Sequence, residues 1–233
     1  MAHLYLSGKR MKIPPFPHHK VFIQRASKYF FAKSPLEHFT LGNGAAVRET
    51  LQSLKNGCFI PRGLLMDPTT ACNLHCTGCW AADYDRHQSL SYDKLHDILN
   101  QAESLGIEEC LMTGGEPMLR KEDILRLARA HRRTIFGLFT NGQLVDEAFV
   151  DAISELGNVN LFLSIEGWKE QTDARRGEGV YDRVVHTMDL LRSRDIAFGI
   201  SVCYTAQNVE VVSSDAFLDF CREKGAWFGW LFQ

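Results

Sequence analysis

Cys72, Cys76 and Cys79 are the residues whose type and spacing point most directly to chemistry. They form C-x3-C-x2-C within the stretch Asp67-Pro68-Thr69-Thr70-Ala71-Cys72-Asn73-Leu74-His75-Cys76-Thr77-Gly78-Cys79-Trp80, and an aromatic residue follows the last cysteine. Three thiolates so close together can wrap a compact inorganic centre on one loop. Structural zinc takes four ligands, and a ferredoxin-type cluster takes four cysteines. No second cysteine pair lies nearby to complete either set. The loop suits a [4Fe–4S] cluster that leaves one iron without a protein ligand, free to bind a small molecule through nitrogen and oxygen. Spacing alone leaves open a zinc knuckle with a distant fourth ligand, or three unrelated cysteines.

The elements that must position this loop follow a regular alternation from Gly63 onward. Gly63 to Asp67 reads as a short buried strand running into the cysteine loop. Ser91 offers an N-cap to a helix whose apolar face carries Tyr92, Leu95, Ile98, Leu99, Ala102 and Leu105, with Gly106 past its end. Further strands are expected over Glu109–Thr113, Ile135–Thr140, Val159–Ile165, Ala197–Tyr204 and Trp227–Phe232. Helices are expected over Lys121–Arg132, Asp146–Leu156, Tyr181–Ser193 and Asp215–Lys224. Strands alternating with helices roughly every 25 to 40 residues indicate βαβ units and a parallel sheet. The apolar runs of the strands fit a sheet covered on both faces. A closed eight-unit barrel needs about 250 residues, so six units indicate a partial barrel, and an open doubly wound sheet is the alternative. The expected class is α/β. The last strand has no helix behind it, which suggests a chain truncated after strand six.

Residues 1–62 read as a separate, partly helical extension, and residues 63–233 as the core. Ile13-Pro14-Pro15-Phe16-Pro17 is too rich in proline for regular structure. Phe22, Ile23, Ala26, Tyr29 and Phe30 recur at helical spacing over 20–33, opposite Lys20, Arg25, Lys28 and Lys33. That helix packs on the core or lies on a membrane surface, where it would give a weak contact. A second helix is expected over about 45–55.

The chain has 233 residues, 45% hydrophobic and 23% charged, with a net charge of -2. It reads as an ordinary globular protein with no global field for nucleic acid. No apolar run approaches the roughly 18 residues of a membrane span. The N-terminus lacks a signal-peptide core. Seven cysteines, an odd number with three clustered, argue against a disulfide framework and for the cytoplasm. Cys110, Cys203 and Cys221 are expected as small buried hydrophobes.

Ligands of parallel α/β proteins gather at the C-terminal ends of the strands. Here those ends carry the cysteine loop, Gly114-Gly115-Glu116-Pro117, Thr140-Asn141-Gly142, Ser164-Ile165-Glu166-Gly167, and Thr205 with Asn208. Two glycines let a backbone approach a ligand closely, and Glu116 supplies an anionic acceptor. Arg175-Arg176-Gly177-Glu178-Gly179 is expected as a loop before the next helix, where an arginine could grip a carboxylate in a bidentate pair.

Together the cysteine spacing and the Gly-Gly-Glu-Pro segment resemble the radical S-adenosylmethionine (radical SAM) enzymes. The resemblance covers roughly residues 63–233 and favours a partial (β/α)6 TIM-type barrel with an N-terminal helical extension. The later segments look most like the branch that carries a C-terminal SPASM or twitch extension, although no downstream cysteine cluster is present. By resemblance, Cys72, Cys76 and Cys79 bind the [4Fe–4S] cluster, and Gly114, Gly115, Glu116 and Pro117 hold the methionyl amino group of SAM. Ser164, Glu166, Arg176 and Asn208 are implied as ribose or carboxylate contacts, and Trp80 as a neighbour of the adenine.

The resemblance also implies the reaction. The reduced cluster passes an electron to the sulfonium, SAM splits into methionine and a 5′-deoxyadenosyl radical, and the radical abstracts hydrogen from a substrate inside the barrel. An external one-electron reductant such as flavodoxin or ferredoxin is implied. Phe139, Phe162, Tyr204 and Trp230 are expected to line the pocket, and a peptide, a lipid or a cofactor precursor all remain open as substrate. The alternatives are an iron–sulfur electron carrier, a zinc-binding interaction module and a non-catalytic barrel fragment.

Overall fold

A computed structural model describes residues 3–6, 9–12 and 50–232. Its centre is one sheet of six parallel strands in simple sequential order, β3 (Gly63–Met66), β4 (Glu109–Met112), β5 (Ile135–Thr140), β6 (Val159–Ser164), β7 (Phe198–Cys203) and β8 (Ala226–Phe232). Each strand pairs only with its neighbours in sequence, so β3 and β8 are the two edges. This is the α/β partial (β/α)6 barrel expected. Because all strands run one way, their C-terminal ends form one rim.

The connecting helices are α1 (Tyr92–Leu105), α2 (Lys121–Ala130), α3 (Glu147–Leu156), α4 (Lys169–Arg176), α5 (Val180–Ser193), α6 (Val209–Val212) and α7 (Asp215–Lys224). Most start and stop where local chemistry says they must. The side chain of Ser91 accepts from Lys94 N–H, and Gly106 closes α1 with φ 85°. Asp146 caps α3 and Ser214 caps α7 in the same way. On the helix side of the sheet, Met112, Phe136, Leu138, Leu161, Leu163 and Phe198 are fully buried against the helices.

The inner face is built differently. Phe139 and Phe162 stack with ring centroids 4.7 Å apart, and Trp230 meets Phe139 edge-on at 5.5 Å. Glycines make the room. A Cβ on Gly137 would lie 2.5 Å from the Phe162 ring, and one on Gly199 would lie 2.4 Å from that of Phe228. Tyr204, expected on this face, packs instead against the helix-side core. It continues the alternation of Phe198, Ile200 and Val202, which all point that way.

Two elements depart from the expectation. α4 includes Arg175 and Arg176, which were expected in a loop. Its sequence, KEQTDARR, carries no apolar stripe, so periodicity gives no helix signal there. Thr172 anchors it instead: its hydroxyl donates to Gly167 O at 3.1 Å and accepts from Glu166 N–H. The second is an unexpected antiparallel pairing of β1 (His3–Leu6) with β2 (Lys9–Lys12), within an extension expected to be partly helical. Residues 50–56 are helical, matching the end of the expected second helix, whereas the basic helix over 20–33 lies outside the described residues. Cys110 and Cys221 are buried as expected, but Cys203 is only partly so.

Two predictions test this packing. Asn158 is buried, and its amide donates to Ala128 O, His131 O and Thr134 O at 3.0–3.1 Å, joining the end of α2 to the start of β5. Asn158→Ala takes a donor from each of those carbonyls and is expected to cost about 1–3 kcal/mol in chemical denaturation. Asp146 pairs with Lys121 and accepts from Phe149 N–H; the lysine first, then the amide, hold its carboxyl below its usual range. The folded state therefore binds that proton less tightly than the unfolded chain. The resulting stability is present above about pH 4 and is lost as pH falls through the depressed folded value. Asp146→Ala is expected to cost about 1 kcal/mol at pH 7, and its denaturation curve should approach that of the wild type in acid.

Candidate functional site

The cysteine loop leaves β3 and returns beside its own stem. Thr70 N–H donates to Gln88 O at 2.9 Å, Leu90 N–H donates to Pro68 O at 3.1 Å, and the Thr69 and Ser89 hydroxyls meet at 2.6 Å. Between these closures the chain has little regular structure, so its shape depends on contacts from outside. Those contacts divide it into two limbs.

The first limb carries Cys72. It lies on the turn after β4, where Gly115 N–H donates to Thr69 O at 2.9 Å and Glu116 N–H donates to Ala71 O at 2.8 Å. A Cβ on Gly115 would sit 2.0 Å from Ala71 O, and one on Gly114, where φ is +102°, would sit 2.6 Å from Thr69 O. The two glycines therefore admit the backbone of the cysteine loop itself. Arg86 adds a donor from downstream, to Leu74 O at 2.8 Å and Cys72 O at 3.4 Å. Asn141 Nδ2 reaches Asn73 Oδ1 at 2.8 Å.

Glu116 lies beneath this limb, 2% exposed. Its Oε1 accepts from Met118 N–H at 3.0 Å and Thr140 Oγ1 at 2.6 Å, and its Oε2 accepts from Asn141 N–H at 2.8 Å. Burial pushes its carboxyl up, against the pull of these donors. Its side chain thus joins the β4 rim to the β5 rim. Pro117 opens the short 3-10 turn Pro117–Arg120 that Glu116 caps.

The second limb carries Cys76 and Cys79 and meets the end of α4. Thr77 N–H donates to Arg175 O at 2.8 Å, Arg175 Nη2 donates to Gly78 O at 3.3 Å, and Arg176 Nη1 lies 3.9 Å from Cys76 Sγ. Both guanidinium groups converge on Oε1 of Glu166, which is 1% exposed. Arg175 Nη1 approaches at 2.8 Å, Arg176 Nε at 2.8 Å and Arg176 Nη2 at 2.5 Å. Glu166 Oε2 accepts from Cys203 N–H at 2.8 Å. Asn208 completes the corner, donating to Glu166 O and Cys203 O and accepting from Thr205 N–H.

The structure thus gathers most of the expected residues on one rim. Gly114, Gly115, Glu116 and Pro117 stand under Cys72, while Glu166, Arg176 and Asn208 stand beside Cys76. Ser164 is partly exposed at the end of β6, in register with Ser201. Trp80 is apart, 61% exposed and edge-on to Tyr84. Sequence reasoning missed Arg86, Asn141 and Arg175 as supports of the loop. Asn141 lay within a rim signal and Arg175 within the Arg175-Arg176-Gly177 segment, but nothing local marked Arg86.

The donor set fits an iron–sulfur cluster. All three thiols are free. Cys72 Sγ accepts from Leu74 N–H at 3.4 Å, and Cys76 Sγ faces a guanidinium, the kinds of donor that support cluster thiolates. Burial pushes both thiols up, with Arg176 opposing it at Cys76. Among the described residues no group of three or more Cys, His, Asp or Glu side chains, these cysteines included, is drawn together as a single-ion site.

The profile of the Radical SAM superfamily matches residues 66–216, well over half of the chain and spanning both limbs. The chain belongs to the radical SAM superfamily. The radical SAM family uses a [4Fe–4S] cluster and SAM, the two cofactors expected here. An AdoMet-dependent heme synthase of Methanosarcina barkeri is 29% identical over 71% of this chain and 48% of its own length. The mycofactocin maturase MftC of Mycolicibacterium smegmatis is 28% identical over 74% of this chain and 45% of its own. SuiB of Streptococcus suis, solved with bound S-adenosylmethionine, shares the fold with a TM-score of 0.68 at 22% identity, over 93% of this chain and 52% of that one. This chain therefore spans about half the length of the proteins it resembles. No helix among its described residues is long and apolar enough to cross a membrane.

Gly115→Ala forces a methyl group into Ala71 O. It is expected to cost about 1–3 kcal/mol and to cut the iron and sulfide retained per chain after anaerobic reconstitution, with the far-ultraviolet circular dichroism preserved.

Proposed function

We propose that this chain is the radical-generating core of an enzyme, with Cys72, Cys76 and Cys79 as the protein ligands of its cluster. The observation that carries the reading is the docking of the cysteine loop, by its own backbone, onto the Gly114-Gly115 turn at the strand rim. When bound, the cluster and SAM supply one-electron cleavage of the S–C5′ bond, yielding methionine and a carbon radical that takes hydrogen from a substrate. The protein's own residues bind, orient and exclude water. Gly114, Gly115, Glu116 and Pro117 would meet the amino group of SAM. Ser164, Glu166, Arg176 and Asn208 would border its carboxylate and ribose, and Trp80 its adenine. The paired charges of Glu166 with Arg175 and Arg176 keep that corner polar yet nearly dry.

The domain reading that goes with this is an extension over 1–62 and a core over 63–233. The substrate would lie on the inner face of the sheet, over Phe139, Phe162 and Trp230. A substrate with a large apolar face suits that wall. An external one-electron donor such as flavodoxin or ferredoxin would reduce the cluster. Free thiols throughout fit a reducing cytoplasm.

The test is anaerobic reconstitution with iron and sulfide, reduction, and EPR with and without SAM, followed by assay of 5′-deoxyadenosine. A [4Fe–4S]+ signal that changes with SAM, nucleoside formation, and loss of both in Cys76→Ala are expected. A cluster indifferent to SAM, or stoichiometric zinc that persists after reconstitution, would overturn the reading.

A further inference from the structure

Arg175 has a part in this site that neither the motif nor the family resemblance assigns. The two limbs of the cysteine loop are not held alike. The first is tied to the β4 turn, to Arg86 and to Asn141. The second limb, from Cys76 to Cys79, meets the rest of the chain through hydrogen bonds to α4: Thr77 N–H to Arg175 O, Arg175 Nη2 to Gly78 O, and Arg176 Nη1 to Cys76 Sγ.

Two like-charged guanidinium groups sit on one carboxylate oxygen at the end of an eight-residue helix. Alone, two arginines so close would repel, and a single buried carboxylate neutralises only one of them. The triad itself therefore carries a net charge of about +1 beside the loop, with the Glu116 carboxyl also within electrostatic reach of Arg176. The Arg175 and Arg176 side chains are only 16% and 11% exposed, so water screens that charge poorly. Glu166 is itself fixed at its second oxygen by the amide of Cys203. The anchor thus belongs to the rigid sheet, and each arginine extends one free arm from it to the loop.

We propose that Arg175 is a positioning residue for the Cys76–Cys79 limb, and that the positive charge it brings to the Arg175–Glu166–Arg176 triad raises the reduction potential of whatever cluster those thiolates hold. The positioning half stands on the loop contacts alone; the electrostatic half rests on the cluster reading above. Arg175 acts through its carbonyl, which any residue could supply, and through its planar fork, which only arginine supplies. A reduced cluster carries one more negative charge than an oxidised one. A neighbouring positive charge therefore stabilises the reduced form, and removing it moves the potential to more negative values.

The experiment compares wild type, Arg175→Gln, Arg175→Lys and the surface control Lys94→Gln. In the first arm, the cluster-free proteins are pulsed with iodoacetamide and the modified cysteines are quantified by mass spectrometry. Cys76 and Cys79 are expected to react several-fold faster in both Arg175 variants, with Cys72 and the Lys94→Gln protein unchanged. In the second arm, the reconstituted proteins are titrated under EPR. Arg175→Gln is expected at a more negative midpoint potential, and Arg175→Lys, which keeps the charge, close to wild type. Equal alkylation in all four proteins would overturn the positioning role. Equal potentials in wild type and Arg175→Gln would overturn the electrostatic one. Should Arg175→Gln fail to fold, Arg175→Lys still decides the alkylation arm. If the wild-type protein takes up no SAM-responsive cluster, the functional reading falls, while the alkylation arm still judges the limb.

Discussion

A single missing β-carbon organises this molecule. Gly115 lets the turn after β4 press its backbone against that of the cysteine loop, at a distance where a Cβ would overlap Ala71 O. Two backbone hydrogen bonds then hold the first limb where β4 ends. A loop of some twenty residues with no ladder of its own cannot otherwise keep one shape, because each residue ordered costs about 1–2 kcal/mol. Contact with the rim replaces what secondary structure would have supplied.

The sheet makes that contact possible, and polar groups extend it around the rim. Parallel strands in sequential order put six successive strand ends side by side. Glu116 links the second of these ends to the third, and Glu166 links the fourth to the fifth. Both carboxylates are buried, and both are saturated with donors, as a buried anion must be. Each also carries one limb of the loop, Glu116 through its own backbone amide and Glu166 through two arginines. Beneath the rim the inner face carries the aromatic cluster of Phe139, Phe162 and Trp230, while the opposite face is closed by helices. The arrangement leaves one polar, anion-braced mouth above an aromatic wall.

Much of this was legible in the sequence, for identifiable reasons. Buried strands such as Ile135–Thr140 and Val159–Ser164 are nearly continuous apolar runs. The helix boundaries at Ser91, Asp146, Ser214 and Gly106 rest on local capping, which sequence displays directly. The cysteine spacing is local as well. What could not be read depends on contacts distant in sequence. Helix α4 has no apolar stripe, and it exists because Thr172 and Glu166 hold it from the strand side. Resemblance favoured Arg176 over Arg175, and only the fold gives each its own target on the loop. The glycine pair reads as a place for a ligand, whereas its nearest occupant is the chain's own backbone.

The central claim is that the three cysteines leave one iron of a [4Fe–4S] cluster to SAM. Mössbauer spectroscopy of the protein reconstituted with iron-57 tests it most directly, because it resolves the iron sites one from another. On this account, adding SAM shifts the parameters of one iron toward higher coordination and leaves the other three as they were. Four irons that stay equivalent, before and after SAM, would contradict it.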